Sequence, residues 1–254
     1  MSVMQLLRPL LLLLLALPCA AAALAEKITI AAAADLKFAM DEIVTAFRQT
    51  HPAEQVDVIY GSSGKFHAQI QQGAPYDLYF SADIAFPRAL AQAGFAASEV
   101  KPYALGRIVL WSASLDASKM TLESLSDPQI TRIAIANPKH APYGKRAEEA
   151  LRSLGLWEKL APKLVYGENI AHTAQFVQTG NAQVGILALA LAISPELASK
   201  GTYWLIPDTL HQPLEQGFVI TQRAQGNALA RRFADYMASP PARAVMARYG
   251  FALK

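Results

Sequence analysis

Cysteine is nearly absent from this 254-residue chain: the single one, Cys19, stands near the N-terminus among leucines and alanines. Beyond it there is no thiol, which excludes disulfides and thiolate-held metals from the body of the protein. Charge of one sign is equally scarce. Lysine and arginine total 23 against 20 acidic residues, and without Arg8 the balance is 22 to 20, a net of about +2. The charges are interspersed, so neither nucleic acid nor an anionic membrane is an expected partner. The five histidines (His51, His67, His140, His172, His211) show no i, i+4 pair and no metal-ligand spacing. No Gly-x-Ser-x-Gly elbow occurs. Gly61-Ser62-Ser63-Gly64-Lys65 has its glycines too close for a phosphate loop, and Phe66, not Ser or Thr, follows the lysine.

The one long apolar run, Leu10 to Leu17, lies between Arg8 and the small-x-small site Ala23-Leu24-Ala25. Residues 1–25 therefore read as a cleaved secretory signal peptide, with Glu26 as the mature N-terminus. The run is short for a span, and no stop-transfer pattern follows. Pro18 makes Cys19 a poor lipid-attachment site. No direct membrane insertion is expected after cleavage.

What remains is an alternation of strands and helices. Lys27 to Ala34 reads as a strand ending in four alanines, and from Leu36 the period changes, with Leu36, Ala39, Met40, Ile43, Val44 and Phe47 on one helical face. Strands around Val56–Tyr60 and Asp77–Ala82 follow, with helices ending at Gly73 and Gly94, the latter capped by Asp83. Tyr103–Ala113 is a longer apolar run that crosses between lobes. Strands Arg132–Ala136, Leu164–Tyr166 and Gln183–Leu187 then alternate with helices. After Tyr203–Ile206, Phe218–Thr221 is a returning strand ahead of two closing helices. The expected fold class is α/β: two lobes, each a mainly parallel sheet flanked by helices, with a ligand cleft between them. Crossings near 104–108 and 212–218 divide the chain into 26–105 plus 214–254 for lobe I and 106–213 for lobe II.

Four places carry the functional signal. At Ala31–Asp35, Gly61–Gly64, Ala141–Gly144 and Glu168–Ala171 a strand runs into small residues and a helix starts at once. Each leaves backbone N–H groups unpaired at a helix start, where an oxyanion is held. Ser63 adds a hydroxyl, Gly64 and Gly144 permit close approach, and Ile170 offers only its N–H. Neutral, fixed donors suit a small doubly charged tetrahedral anion. About six charge-assisted bonds at ~1.5–3 kcal/mol each exceed an association cost of ~4 kcal/mol or more, enough for nanomolar binding without a salt bridge.

Nearly the whole mature chain also resembles the periplasmic molybdate-binding proteins (ModA type) of ABC import systems. The resemblance is carried by Ala32-Ala33-Ala34-Asp35-Leu36, Gly61-Ser62-Ser63-Gly64, Gly73-Ala74-Pro75-Tyr76-Asp77-Leu78-Tyr79-Phe80-Ser81-Ala82-Asp83, Asn137-Pro138 with Ala141-Pro142-Tyr143-Gly144, and Arg248-Tyr249-Gly250-Phe251. It implies a type II periplasmic-binding-protein fold that captures molybdate or tungstate by neutral hydrogen bonds and delivers the anion to an inner-membrane ABC transporter permease. It further implies a monomer that uses no cofactor, holds no metal beyond the oxyanion and is not an enzyme. By position, the contacts would be Ala34, Asp35, Ser63, Tyr143 and Ile170.

Two departures from the family pattern stand out. Where some members place a hydroxyl residue at the first junction, this chain has Ala34 and Asp35. A carboxylate facing a dianion is repulsive, so Asp35 is expected to turn back and cap its helix while its N–H meets the ligand. In place of a tyrosine carried by some relatives, the strand at 185–189 has Ile186, Leu187, Ala188 and Leu189, and the Tyr143 hydroxyl is expected to take over that contact. Lys37, Lys65 and Lys145 each follow a contact position by two residues. They are either solvated lysines or a positive rim that speeds anion capture. The alternatives are a receptor for sulfate or phosphate, and a hydrolase using Ser63 with His172. Hydrogen phosphate would need a buried acceptor for its proton, for which Asp35 is the one obvious candidate at these junctions.

Overall fold

The computed structural model describes residues 26–252. The leader, its cleavage site and Cys19 lie outside the described residues. Ten strands form two five-stranded sheets. The first holds β1 (Lys27–Ala33), β2 (Gln55–Gly61), β3 (Leu78–Ser81), β4 (Lys101–Gly106) and β10 (Leu214–Ile220) in the order β2-β1-β3-β10-β4. The second holds β5 (Ile108–Ser112), β6 (Ile133–Ala136), β7 (Leu164–Gly167), β8 (Val184–Ala188) and β9 (Thr202–Leu205) in the order β7-β6-β8-β5-β9. In each sheet the first three strands of that order are parallel and one strand runs against the rest, β10 in the first and β5 in the second. Those reversed strands are the ones by which the chain enters each sheet from the other.

The helices are α1 (Lys37–Thr50), α2 (Ser63–Gln71), α3 (Ala85–Gln92), α4 (Pro142–Ser153), α5 (Trp157–Leu160), α6 (Ile170–Gln178), α7 (Leu189–Ala192), α8 (Pro195–Ala198), α9 (Ala228–Tyr236) and α10 (Pro240–Arg248). Periodicity explains how they pack. Ala39, Met40, Ile43, Val44 and Phe47 of α1 are buried against Ile28 and Ile30 of β1 and Phe233 of α9. A side chain such as Phe47 contributes about 1.5–3 kcal/mol by leaving water. On the opposite face of that sheet Ala31, Tyr79 and Val219 meet Phe66, Ile70 and Leu90. The second sheet has its own core around Trp111, Ile133, Ile135 and Leu187, and Ala33, Ala34 and Ala82 of the first lobe join it. Small residues of the first lobe thus enter the core of the second.

Two segments differ from the sequence expectation. The run 103–113 is two strands in different sheets, broken at Arg107, where the chain passes from one lobe to the other. The returning strand begins at Leu214, four residues earlier than its apolar stretch marks, because Glu215 and Gln216 interrupt the apolar pattern while still pairing with β4. Asp83 stands two residues before α3 and bonds the Ala85 N–H through one oxygen (2.9 Å), leaving the other toward Arg146.

Candidate functional site: a cavity between the lobes

Each of the four junctions lies at the C-terminal end of a parallel strand, and they come in matched pairs. Ala33 of β1 registers with Gly61 of β2, and Ala136 of β6 with Gly167 of β7. Ligands of open α/β sheets bind beyond such strand ends. Here the ends of the two lobes face each other. Ala33, Ala34, Asp35, Ser62 and Ser63 from the first lobe share one cavity with Pro142, Tyr143, Asn169 and Ile170 from the second. All five contact positions expected from sequence line this cavity. Its volume is only about 10 Å³, on a scale where one water needs roughly 10–15 Å³. The lobes therefore stand closed on a space no larger than one water.

Local sequence sets each donor. Asn169 caps α6 by accepting from the His172 N–H at 2.9 Å. The N–H groups of Ile170 and Ala171, in the first turn, have no carbonyl within the helix to bond. Pro142 opens α4 at a position that needs no N–H. Gly144 is obligatory there, since a Cβ would lie 2.0 Å from the Ala136 carbonyl oxygen. Ser63, at the start of α2, is buried. Its Oγ accepts from the Ala82 N–H at 3.0 Å, which leaves the hydroxyl proton to donate elsewhere.

Asp35 corrects the expectation. The turn Ala34–Leu36 has no side-chain cap at Ala33, and Oδ1 of the Asp35 carboxylate meets no donor at hydrogen-bond geometry. Instead Oδ2 accepts from the Tyr143 hydroxyl at 2.9 Å and from Gln216 Nε2 at 2.8 Å, and the same amide group reaches the Tyr143 oxygen at 3.1 Å. The physical reason is partner choice: the turn's N–H groups of Asp35 and Leu36 ease the carboxylate's charge, but two side-chain donors from β10 and α4 make the direct bonds. Tyr143 accordingly spends its hydroxyl proton on Asp35. Burial lifts the Asp35 carboxyl from 3.8 to about 6 despite these bonds, and burial with the adjacent Asp35 lifts the Tyr143 phenol far above its usual range. Gly106 leaves room for this cluster, because a Cβ would come within 2.5 Å of the Tyr143 oxygen and 2.7 Å of Gln216 Nε2.

The remaining candidates fall elsewhere. Gly64 admits the other lobe rather than a ligand: its N–H donates to the His140 carbonyl at 2.9 Å, and the Ser62 hydroxyl donates to the same oxygen at 2.7 Å. Lys65 pairs across the cleft with Glu168, and Lys37 with Asp41 on its own helix. Lys145 is exposed. None of the three lines the cavity. Arg146, buried, bridges Glu149 to Asp83 of the first lobe. His172 does not meet Ser63; its Nδ1 accepts from the Glu168 N–H and its ring lies against Phe176. It lines a separate open groove of about 610 Å³ together with Lys37, Phe38 and Glu196, far too wide to grip a four-oxygen anion. Among the described residues no group of three or more His, Cys, Asp or Glu could hold a metal ion, and no helix is long and apolar enough to cross a membrane.

Sequence reasoning missed Gln216, His140 and the Ala82 N–H. Gln216 had one available signal, a lone uncharged polar residue between Leu214 and the run Phe218–Ile220.

The fold and this paired-junction cavity define a two-lobed binding protein of the periplasmic type II class. The chain belongs to the bacterial extracellular solute-binding protein family, whose profile matches residues 28–252. It is similar to the molybdate-binding protein ModA of Azotobacter vinelandii, at 36% identity over 92% of this chain and 93% of that one. The molybdate-binding protein ModA of Rhodobacter capsulatus is 35% identical over 93% of this chain and 91% of its own length. The solved structure of the Azotobacter vinelandii periplasmic molybdate-binding protein superposes with a TM-score of 0.84 at 31% identity, covering 89% of this chain and 99% of that one.

Proposed function

We propose that this protein is a periplasmic receptor for molybdate or tungstate that surrenders its anion to the permease of an ABC importer. The observation that carries the reading is the cavity lining: residues at the helix starts of both lobes, Ser63 among them, line one cavity, with no lysine or arginine beside them. Fixed neutral donors of that kind hold a doubly charged tetrahedral anion without burying a counter-ion. The likeness to the two molybdate-binding relatives supports the choice of anion.

The contacts we assign are the N–H groups at Ala34 and Asp35, the N–H and hydroxyl of Ser63, and the N–H groups of Tyr143 and Ile170. Lobe I comprises 26–105 with 214–254 and lobe II 106–213, the lobes moving about the two crossings. The receptor works as a monomer after removal of residues 1–25. It needs no cofactor and makes or breaks no bond in its cargo. A thermal-shift panel of molybdate, tungstate, sulfate, phosphate and chromate tests this. Binding to the native state raises the Tm with affinity and concentration, so molybdate and tungstate should give the largest shifts. A larger shift with sulfate or phosphate, or none with any anion, would overturn the assignment.

A further inference from the structure

Asp35 is the only carboxyl in the cavity lining, and it is buried. Its two oxygens are not equivalent. Oδ2 is taken by Tyr143 and Gln216, whereas Oδ1 is buried and has no hydrogen-bond partner. Both hydrogen-bond partners of the carboxyl are neutral, and no charged group is among the causes of its raised pKa. Tyr143 meets it from α4 and Gln216 from β10; the half-buried Tyr103 of β4 donates to the Ser81 carbonyl, and desolvation and then Asp35 push its phenol up. Lys37, on the same segment, is turned to Asp41 at the surface. No cation offsets a charge on Asp35.

This arrangement sets a dilemma for the oxyanion reading, on which the present inference rests. An ionised Asp35 would bring a bare carboxylate oxygen to a dianion in a water-poor space, and the two would repel. A carboxylic acid with its proton on Oδ1 turns the same atom into a donor while Oδ2 goes on accepting from Tyr143 and Gln216. We infer that Asp35 contacts the ligand through its side chain, giving the oxyanion a hydrogen bond from Oδ1 that carries one proton per complex. In balance, carboxylate, solvent proton and dianion combine to a carboxylic acid hydrogen-bonded to the dianion; only the O–H bond forms. The buried charge of acid and anion together is then −2 in place of −3. An anion that already carries a proton would bring its own to the same oxygen.

Burial has already raised this carboxyl to about 6, and a neighbouring dianion pushes it in the same direction. Above that value each bound dianion takes up a proton from solution, so affinity weakens by about tenfold per pH unit until the carboxyl of the complex itself titrates.

The test is titration calorimetry with sodium molybdate at about pH 7.5 in two buffers of different ionisation enthalpy, repeated at about pH 6.5 and 8.5. The expected result is uptake of about one proton per anion at pH 7.5 and a Kd that rises roughly tenfold per unit above pH 6.5. Asp35→Asn, which offers a permanent N–H donor, should bind with no proton uptake and a flat profile. Tight molybdate binding by the wild-type protein with no proton uptake and no pH dependence would overturn the role of Asp35 while leaving the receptor reading intact. No binding by the wild-type protein at any of these pH values would overturn both. The wild-type measurement decides the matter even if the variant fails to fold.

Discussion

The two lobes share one plan and use it differently. Their strand orders match, β2-β1-β3-β10-β4 against β7-β6-β8-β5-β9, and each brings two strand ends to the cleft. In lobe II the helix starts are set locally, by Asn169 capping α6 and by Pro142 opening α4. In lobe I neither start has a side-chain cap. Its polar groups are satisfied at long range instead: Asp35 by Tyr143 and Gln216, Ser63 by Ala82, Gly64 by His140. Lobe II thus presents donors that stand without its partner, whereas part of the lobe I surface is completed only on closure.

The contrast is sharpest at the two glycines. Gly144→Ala would drive a Cβ to 2.0 Å from a backbone oxygen of its own lobe, so it should cost about 3 kcal/mol of stability or more, read as a lower urea midpoint. Gly64→Ala would meet the His140 carbonyl of the opposite lobe at 2.7 Å. Closure should suffer and anion affinity drop by about tenfold or more, while the ligand-free Tm holds or rises, alanine being the better helix former. Equal loss of stability in both variants would erase the distinction between local and cross-lobe design.

Next in size is the pH dependence of the ligand-free protein. Asp35 has a folded pKa above its unfolded value, so the stability of its neutral form is fully present below about 3.8 and is lost as pH rises through about 6. A displacement of about two units corresponds to roughly 3 kcal/mol for a fully buried group. Asp35→Asn should remove that decline, as measured by unfolding free energy at about pH 4 and 7. Ile170, at a lobe II contact position, has no titratable side chain and predicts no counterpart.

Ser63→Ala deletes the hydroxyl assigned as a donor to the anion and should weaken binding about ten- to a hundredfold in calorimetry. The smallest effect belongs to Lys65→Gln. Its pairing with Glu168 is half exposed, so stability should move by no more than about 1 kcal/mol. If the positive-rim reading holds, neutral replacement of Lys37, Lys65 and Lys145 together lowers the association rate at low salt and not at high salt; an unchanged low-salt rate would reject it.

Much of this was legible in the residues. The change of period at Leu36 and the four small-residue junctions put all five candidate positions in the lining of one cavity, because helix starts are encoded locally. What escaped depends on tertiary partners. A propensity argument sees Asp35 ahead of a helix and assigns it a cap; only the fold brings Gln216 and Tyr143, from remote parts of the chain, to its carboxylate. Gln216 itself was hidden because β10 opens with two polar residues, and a period-2 reading starts at Phe218. Gly64 signalled close approach correctly, but sequence gives no sign that the approaching group is the other lobe's carbonyl.

The central claim is that neutral donors from both lobes hold one tetrahedral anion in the cavity between them. Anomalous diffraction from crystals grown with tungstate tests it most directly. The account predicts a single tungsten peak bounded by Ser63 and the N–H groups of Asp35, Tyr143 and Ile170, with no lysine or arginine nitrogen in its coordination shell. A peak held instead by Lys37, Lys65 or Lys145 at the surface, with the cavity between the lobes unaltered, would contradict it.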